Sequence, residues 1–143
     1  MLKRHFSVVR RVMGRLERGD DLLGQLTALA QQEGVETGTI SFFGALEHAH
    51  LAYYDQAAQT YVDREQEGPL ELTSGLANVS LRDGQPFVHA HVTVADSSGQ
   101  VWGGHLLEGS RLFACEFVLE IWDGEPWERT LDGVTGLWLW HQG

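Results

Sequence analysis

Several common signatures of catalysis and targeting are missing from this sequence. Its 143 residues include one cysteine, which excludes an internal disulfide and fits a reducing, cytoplasmic environment. No apolar run approaches the roughly 18 residues of a membrane span, and the first residues lack the apolar core of a signal peptide. Nucleophile elbows, phosphate loops, dinucleotide fingerprints and CxxC pairs are absent as well. We therefore expect a cytoplasmic protein without membrane partners and without covalent serine or cysteine catalysis.

Positive charge is also scarce. Ten basic residues face twenty acidic ones, and the net charge of −10 disfavours wholesale contact with a polyanion such as nucleic acid. Six of the ten basic residues lie in the first eighteen positions: Lys3, Arg4, Arg10, Arg11, Arg15 and Arg18. We interpret this run as the solvated surface of a first strand, with a nucleic-acid-binding patch as the alternative.

The sequence contains one helical pattern. Leucines at helical spacing predict a helix from about Leu22 to Glu33, with Asp20 or Asp21 as the N-cap and Gly34 at the end. Everything else reads as strand: Phe6–Leu16, Gly38–Phe43, Leu46–Tyr54, Thr60–Glu65, Leu70–Leu81, Pro86–Ala95, Val101–Leu107, Leu112–Trp122 and Leu137–Trp140. These patterns predict one α+β domain over residues 1–143, with a largely antiparallel sheet of about seven to eight strands and one main α-helix.

Three histidines carry the strongest functional signal. His89 and His91 form an HxH pair, and His105 follows two glycines on the next predicted strand. A three-residue turn at residues 97–99 would make His91 and His105 direct cross-strand neighbours, with His89 on the diagonal. The positions that alternate with the histidines on both strands are apolar. A shift of one residue in the pairing register would bury the histidines and expose these apolar residues, so the pattern favours this register. Three imidazoles on one patch are the ligand set of an exchangeable or catalytic divalent metal site.

The other histidines receive a plainer interpretation. His48 and His50 form a second HxH beside Glu47, but no third ligand can be placed opposite them, so we interpret them as a solvated strand face. His5 and His141 are interpreted as surface residues.

Three carboxylates and the single thiol are further candidates. Glu116 and Glu120 share one side of a strand and could act as acid, base or partner to an imidazole, although an exposed or subunit-facing edge is the simpler interpretation. Glu108 is a candidate fourth ligand or base. Cys115 lies in an apolar alternation, which indicates a buried, inert thiol.

Five tryptophans are numerous for this length. Trp138 and Trp140 alternate onto one side of the last strand, where a core or subunit-interface stripe is favoured over a platform for stacking bases.

The sequence resembles the plant- and prokaryote-conserved (PPC) domain family. The matching segments are Arg15–Leu22, Gly44–Leu46, Leu51–Asp55, Leu70–Leu72, Asp83–Val92, Gly103–Leu106 and Thr135–Leu137, with HxH followed by GGH as the specific part. The resemblance implies an α+β domain that assembles as a homotrimer. It also implies a metal site, with zinc the expected ion, in which His89, His91 and His105 are the ligands. The Arg-Gly-Arg-Pro hook of the plant proteins is absent here.

Two functions follow from these patterns. The first is a cytoplasmic, homotrimeric protein that binds a divalent metal through the three histidines, with water or a small acidic ligand at the open position and hydrolytic or lyase chemistry on a small molecule as its route to catalysis. The alternative is a DNA-binding regulatory module without catalysis. The catalytic residues and the substrate remain unassigned.

Overall fold

The computed structural model describes residues 1–141 and contains eight strands and one helix. The elements are β1 (Ser7–Leu16), α1 (Leu22–Gln32), β2 (Gly38–Asp55), β3 (Thr60–Arg82), β4 (Gln85–Ala95), β5 (Val101–Leu106), β6 (Arg111–Asp123), β7 (Glu128–Leu131) and β8 (Trp138–His141). All strands join one sheet in the order β1-β6-β2-β5-β4-β3-β7-β8, antiparallel except where β7 runs parallel to β3. This architecture confirms the predicted α+β class.

The middle of the sheet closes on itself. The long strands β2 and β3 pair along their whole length, while β3 also pairs with β4, β4 with β5, and β5 with the far end of β2 at Leu51 and Ala52. Both β4 and β5, which carry the three histidines, therefore have hydrogen-bonded neighbours on each side.

The helix lies against one face of the sheet. Asp21 is the N-cap, and its carboxylate accepts a hydrogen bond from the Gly24 amide at 2.7 Å. Leu22, Leu26 and Ala30 recur at intervals of four residues and are fully buried, forming the stripe that faces the strands. Gly34, with φ +64, ends the helix as predicted.

Two strand predictions need correction. The segments Gly38–Phe43 and Leu46–Tyr54 are one strand, because the break expected at Gly44 is a shift in ladder register between Phe42 and Gly44 rather than a turn. Likewise, Thr60–Glu65 and Leu70–Leu81 are parts of the single strand β3.

The short strand β7 was missed. Its four residues contain no alternation long enough to detect, and it is held in place by pairing with β8. No helix in residues 1–141 is long and apolar enough to cross a membrane.

Candidate metal centre

The β4–β5 hairpin brings the predicted histidines onto one side of the sheet. His91 is the cross-strand partner of His105, and Val94 is the partner of Trp102, which is the predicted register. Residues at alternate positions are buried on the opposite side: Val88, Ala90, Val92, Val94 and Leu106. Because the pleat sends neighbouring side chains to opposite faces, the buried apolar row fixes the histidines on the outer face, away from α1.

The turn between these strands fixes that register. Gly99 adopts φ +81, a conformation that favours glycine. The Asp96 carboxylate accepts hydrogen bonds from the amides of Ser98 and Gln100 at 2.8 and 3.0 Å. The three-residue loop predicted from the sequence is therefore stabilised by its own side chains.

The three imidazole rings form a compact triangle, called here the histidine triad (His89, His91 and His105). Their centroids are separated by 5.1 Å for His89–His91, 5.0 Å for His89–His105 and 5.5 Å for His91–His105. One ring nitrogen from each histidine lies within 4.8 Å of one from each of the others. Tetrahedral bonds of ~2.1 Å separate ligand nitrogens by about 3.4 Å, so small side-chain rotations suffice to place all three on one ion.

The environment keeps two of these rings neutral. Burial lowers the pKa of His89 to about 4, and the Arg129 guanidinium contributes to the shift. Burial also lowers the pKa of His105 to about 4, with a further contribution from the neighbouring His91. Neutral imidazole is the form that coordinates a metal, so at neutral pH these ligands need lose no proton.

One ring nitrogen lacks a partner. His105 Nδ1 is buried and has no hydrogen bond within the described part of the chain. A buried nitrogen without a partner is costly, and coordination to an ion shared with His89 and His91 would satisfy it. The donor set, its spacing and this nitrogen together fit a divalent metal ion.

A cavity of about 540 Å³ lies over the triad. One wall is the far end of the β2–β3 hairpin, where the Tyr61 ring centroid lies 5.2 Å from that of His105. The other wall is the segment from β7 to β8, called here the C-terminal arm (residues 128–141). Tyr54 donates a hydrogen bond from its hydroxyl to the Thr135 carbonyl at 2.6 Å and so connects the two walls. The volume is in the range of small-molecule sites.

Arg129 of the C-terminal arm lies beside the triad and is only 6% exposed. Its Nε donates to the Ser80 hydroxyl at 2.9 Å, Nη1 donates to the Trp138 carbonyl at 2.8 Å, and Nη2 donates to the Asn78 side-chain oxygen at 2.8 Å. Nη2 also lies 3.4 Å from His89 Nδ1. All of these partners are neutral. Sequence reasoning missed Arg129 because a single arginine distant in sequence from the histidines carries no motif.

The second HxH pair has different surroundings. His48 Nδ1 lies 3.2 Å from a Glu67 carboxylate oxygen, and His50 Nε2 lies 3.2 Å from a carboxylate oxygen of Asp63. His50 Nδ1 lies 2.6 Å from the Glu108 carbonyl oxygen, and this hydrogen bond, helped by Asp63, raises the pKa of His50. Within residues 1–141 neither histidine belongs to a group of three ligands. His5 and His141 are exposed, as predicted.

The structure does not bring the three candidate carboxylates into the triad cavity. Glu120 forms an ion pair with Arg11 at 2.7 Å, on the β1–β6 side of the sheet. Glu116 lies on the same side, by a shallow depression that includes Met13. Glu108 contributes its backbone carbonyl to His50 and lines a separate depression. None of the three belongs to the metal-competent cluster among the described residues.

The thiol and the tryptophans take structural positions. Cys115 is buried, and burial raises the pKa of its thiol to about 11, which agrees with an inert role. Trp140 stacks on Trp127 with ring centroids 5.8 Å apart, whereas Trp138 lines the triad cavity. The predicted stripe thus divides into one packing residue and one cavity residue.

Four of the five N-terminal arginines form ion pairs with carboxylates that the fold brings next to them. The four pairs are Arg4–Glu125 at 3.2 Å, Arg10–Glu33 at 2.7 Å, Arg11–Glu120 at 2.7 Å and Arg18–Glu47 at 2.9 Å. Because acidic side chains neutralise much of this run, the arrangement favours the surface interpretation over a nucleic-acid patch.

Comparison with known proteins identifies relatives of the whole domain. Residues 3–123 match the sequence model of the Plants and Prokaryotes Conserved (PCC) domain. A metal-containing protein from Archaeoglobus fulgidus is 39% identical with a TM-score of 0.94, and the match covers 99% of this chain and 100% of that one. A plant- and prokaryote-conserved protein from Pyrococcus horikoshii is 37% identical with a TM-score of 0.92, covering 99% and 98% of the two chains.

A curated relative is much longer. The bifunctional protein GlmU of a Synechococcus strain is 36% identical over 124 residues, which is 85% of this chain and 18% of that protein. The chain therefore spans less than a fifth of the length of the curated relatives it matches.

Proposed function

The chain belongs to the Plants and Prokaryotes Conserved domain family, and we propose that it binds a divalent metal ion, with zinc the expected ion, through His89, His91 and His105. The observation that carries the proposal is the convergence of three ring nitrogens, one from each histidine, within 4.8 Å. The buried His105 Nδ1, which has no partner in the described chain, supports it. The metal-containing relative from Archaeoglobus fulgidus supports it. A cytoplasmic location belongs to the same proposal, supported by the buried, unpaired Cys115.

The cavity supports a small-molecule ligand at this centre. A bound divalent ion supplies Lewis acidity and lowers the pKa of water, which is the basis of the proposed hydrolytic or lyase chemistry. The protein contributes the rest: the hairpin orients the three imidazoles, and the Tyr61 and Trp138 rings line the cavity over them. Three protein ligands leave a position open for the small molecule.

Metal analysis tests the proposal. The protein is loaded with zinc, passed over a desalting column and measured by elemental mass spectrometry. We expect close to one zinc per chain, and its loss when His89, His91 and His105 are all changed to Ala. The matched control is the double variant His48→Ala/His50→Ala, which removes an HxH pair elsewhere and should retain the zinc. Equal zinc contents in the triple variant and the parent would refute the metal centre.

We also propose that the chain assembles as a homotrimer through the outer face of the sheet. A row of cross-strand partners runs over this face from Met13 through Val118, Ser41 and Leu76 to His91. Met13 is 80% exposed and Leu76 is 62% exposed, beside Phe43 at 57%. Apolar side chains grouped in this way indicate a surface that another protein chain covers. A neighbouring copy seated on the row would also cover the open side of His91.

Light scattering during gel filtration tests the assembly. We expect three times the 15.9 kDa chain mass for the parent, and a shift toward one chain mass for Leu76→Glu, because the new carboxylate would be buried in the interface. Val134→Glu is the control, since Val134 is 83% exposed but belongs to the C-terminal arm and not to the row. A parent that elutes as a monomer would refute the trimer without affecting the metal centre.

A further inference from the structure

The triad cavity concentrates positive charge in an acidic protein. The chain carries twenty acidic residues, yet no aspartate or glutamate lines this cavity within residues 1–141. Two arginines do line it, Arg82 and Arg129. Arg129 is 94% removed from water, and no carboxylate of the described chain lies within ion-pairing distance of it. Arg129 has three neutral hydrogen-bond acceptors and lies 5.5 Å from the ring centroids of Phe87 and Trp140, but its buried charge still has no counter-ion in the described chain, which is an expensive arrangement.

The imbalance grows when an ion is present. Three neutral imidazoles leave the full charge of a divalent ion uncompensated, and the Arg129 guanidinium, next to His89, adds another positive charge. In a partly desolvated site, these two positive charges attract an anion strongly. An anionic molecule that enters the cavity would supply the missing negative charge.

The hydrogen-bonding capacity of Arg129 limits what that molecule is. A guanidinium has five N–H groups, and three of them donate to Ser80, Trp138 and Asn78. One N–H of Nη1 then has no partner in the described chain, and the second N–H of Nη2 has only the long, 3.4 Å contact with His89 Nδ1. This capacity suits one carboxylate oxygen better than a dianionic phosphate, which needs more donors.

The remaining cavity surface selects the body of the ligand. Tyr61, Phe87 and Trp138 line it together with Leu137 and Leu139, so most of the wall is aromatic or aliphatic. Such a wall favours a flat, apolar group over a sugar or a peptide.

We propose that this site takes a small monocarboxylate with an aromatic or aliphatic body, whose carboxylate lies between the metal ion and the Arg129 guanidinium. The inference rests on the metal centre proposed above and names the class of its ligand. Arg129 is then a binding residue for the carboxylate, and the C-terminal arm is part of the site.

Paired probes test the charge requirement. Benzoate and benzamide have nearly the same shape but differ in charge, and each is titrated by calorimetry into protein with one zinc per chain and into protein stripped with EDTA. We expect benzoate to bind the zinc-loaded protein at least tenfold more tightly than benzamide, and the preference to shrink without zinc. Equal binding of the two probes, or no benzoate binding at millimolar concentration, would overturn the inference. If the stripped protein preferred benzoate over benzamide as strongly as the zinc-loaded protein, the placement of the carboxylate between the metal ion and Arg129 would be overturned.

Two substitutions test the role of Arg129. Asn78→Asp keeps the shape of the side chain that accepts from Nη2 and gives Arg129 an internal counter-ion, so the benzoate preference should fall to about twofold or less while zinc is retained. Arg129→Gln should have the same effect through loss of the charge. Gln31→Glu on the exposed side of α1 adds the same negative charge elsewhere and should leave the preference intact.

The outcomes separate the two proposals. A zinc-loaded Asn78→Asp protein that keeps the tenfold preference would overturn the role of Arg129, even if Arg129→Gln fails to fold. A parent protein that binds no zinc would overturn the metal centre, and the bridging ligand with it. A zinc-loaded parent that does not discriminate benzoate from benzamide would overturn the carboxylate alone.

Discussion

The chain contains the HxH motif twice, and the two copies lie in different surroundings. His48 and His50 lie on β2 and face the carboxylates of Glu67 and Asp63. His89 and His91 lie on β4 and face His105, with Arg129 beside them. The Glu108 carbonyl and the Asp63 carboxylate therefore raise the pKa of His50, whereas burial and the Arg129 guanidinium lower the pKa of His89.

This contrast shows that the strand opposite a motif decides its chemistry. An HxH pair places two imidazoles on one side of a strand in both cases, and the cross-strand partner supplies either a negative charge or a third ligand. The partner is readable from sequence only when the turn fixes the register, as the turn at Gly99 does for His105. His48 and His50 lie on β2, which pairs with β3, and because both strands are long and their pairing is bulged, the register could not be assigned from the sequence.

The largest effect is expected from a substitution that displaces β5 and with it His105. The triad would then keep only an HxH pair without a third ligand, as at His48 and His50. A Cβ at Gly104 would lie 2.7 Å from the Ala52 carbonyl oxygen, so Gly104→Ala must push β5 away from β2. We expect destabilisation of ~1–3 kcal/mol in urea unfolding and weaker zinc binding, because His105 moves with the strand. Gly133→Ala is the control, since its Cβ would meet open space. Unchanged zinc affinity in Gly104→Ala would contradict the need for His105.

An intermediate effect is expected in the pH dependence of the metal-free protein. The pKa values of about 4 for His89 and His105 lie below the unfolded value of 6.5. As pH falls from about 6.5 toward 4, the unfolded chain takes up protons that the folded chain does not, and stability is lost. His50 acts in the opposite sense, because its raised pKa stabilises the folded protein at pH below 6.5 and this contribution disappears as pH rises through the folded value.

Urea unfolding in EDTA at several pH values measures how the free energy of unfolding changes with pH in each protein. The double variant His89→Gln/His105→Gln should lose less stability on acidification than the parent, whereas His50→Gln should lose more. If the free energy of unfolding depended on pH in the same way in all three proteins, the opposite pKa shifts of the triad histidines and His50 would be contradicted.

The smallest effect is expected from the exposed contact between Asp63 and His50. Asp63 is 60% exposed, so Asp63→Asn should change the free energy of unfolding by less than ~1 kcal/mol. The pKa of His50, followed by NMR titration, should fall toward its usual value but remain raised, because the Glu108 carbonyl still accepts its hydrogen bond. A drop in stability comparable with that of Gly104→Ala would contradict the surface role of this motif.

The triad and its hairpin were predictable because short-range signals agreed there. A glycine turn, an apolar alternation and an HxH opposite a GGH all specify one register, and the structure has that register. The helix was predictable for similar reasons, since its N-cap, its leucine stripe and its terminal glycine coincide.

The rest of the site could not be predicted, because it depends on long-range contacts. Arg129 reaches the triad only after the C-terminal arm pairs beside β3, and Tyr61 does so only after the β2–β3 hairpin folds over. Neither residue lies in a pattern that indicates its position. The merged strands β2 and β3 were missed for a related reason, since bulges conceal their continuity from a periodicity argument.

The closed ring of β2, β3, β4 and β5 has a consequence for how an ion would be captured. The histidine-bearing strands have no free edge in this ring, so their backbones are ordered once the chain folds. The entropy lost in assembling the ligands is then a cost of folding rather than of association, and capture of the ion requires only side-chain rotation. Such a centre would exchange its metal without unfolding.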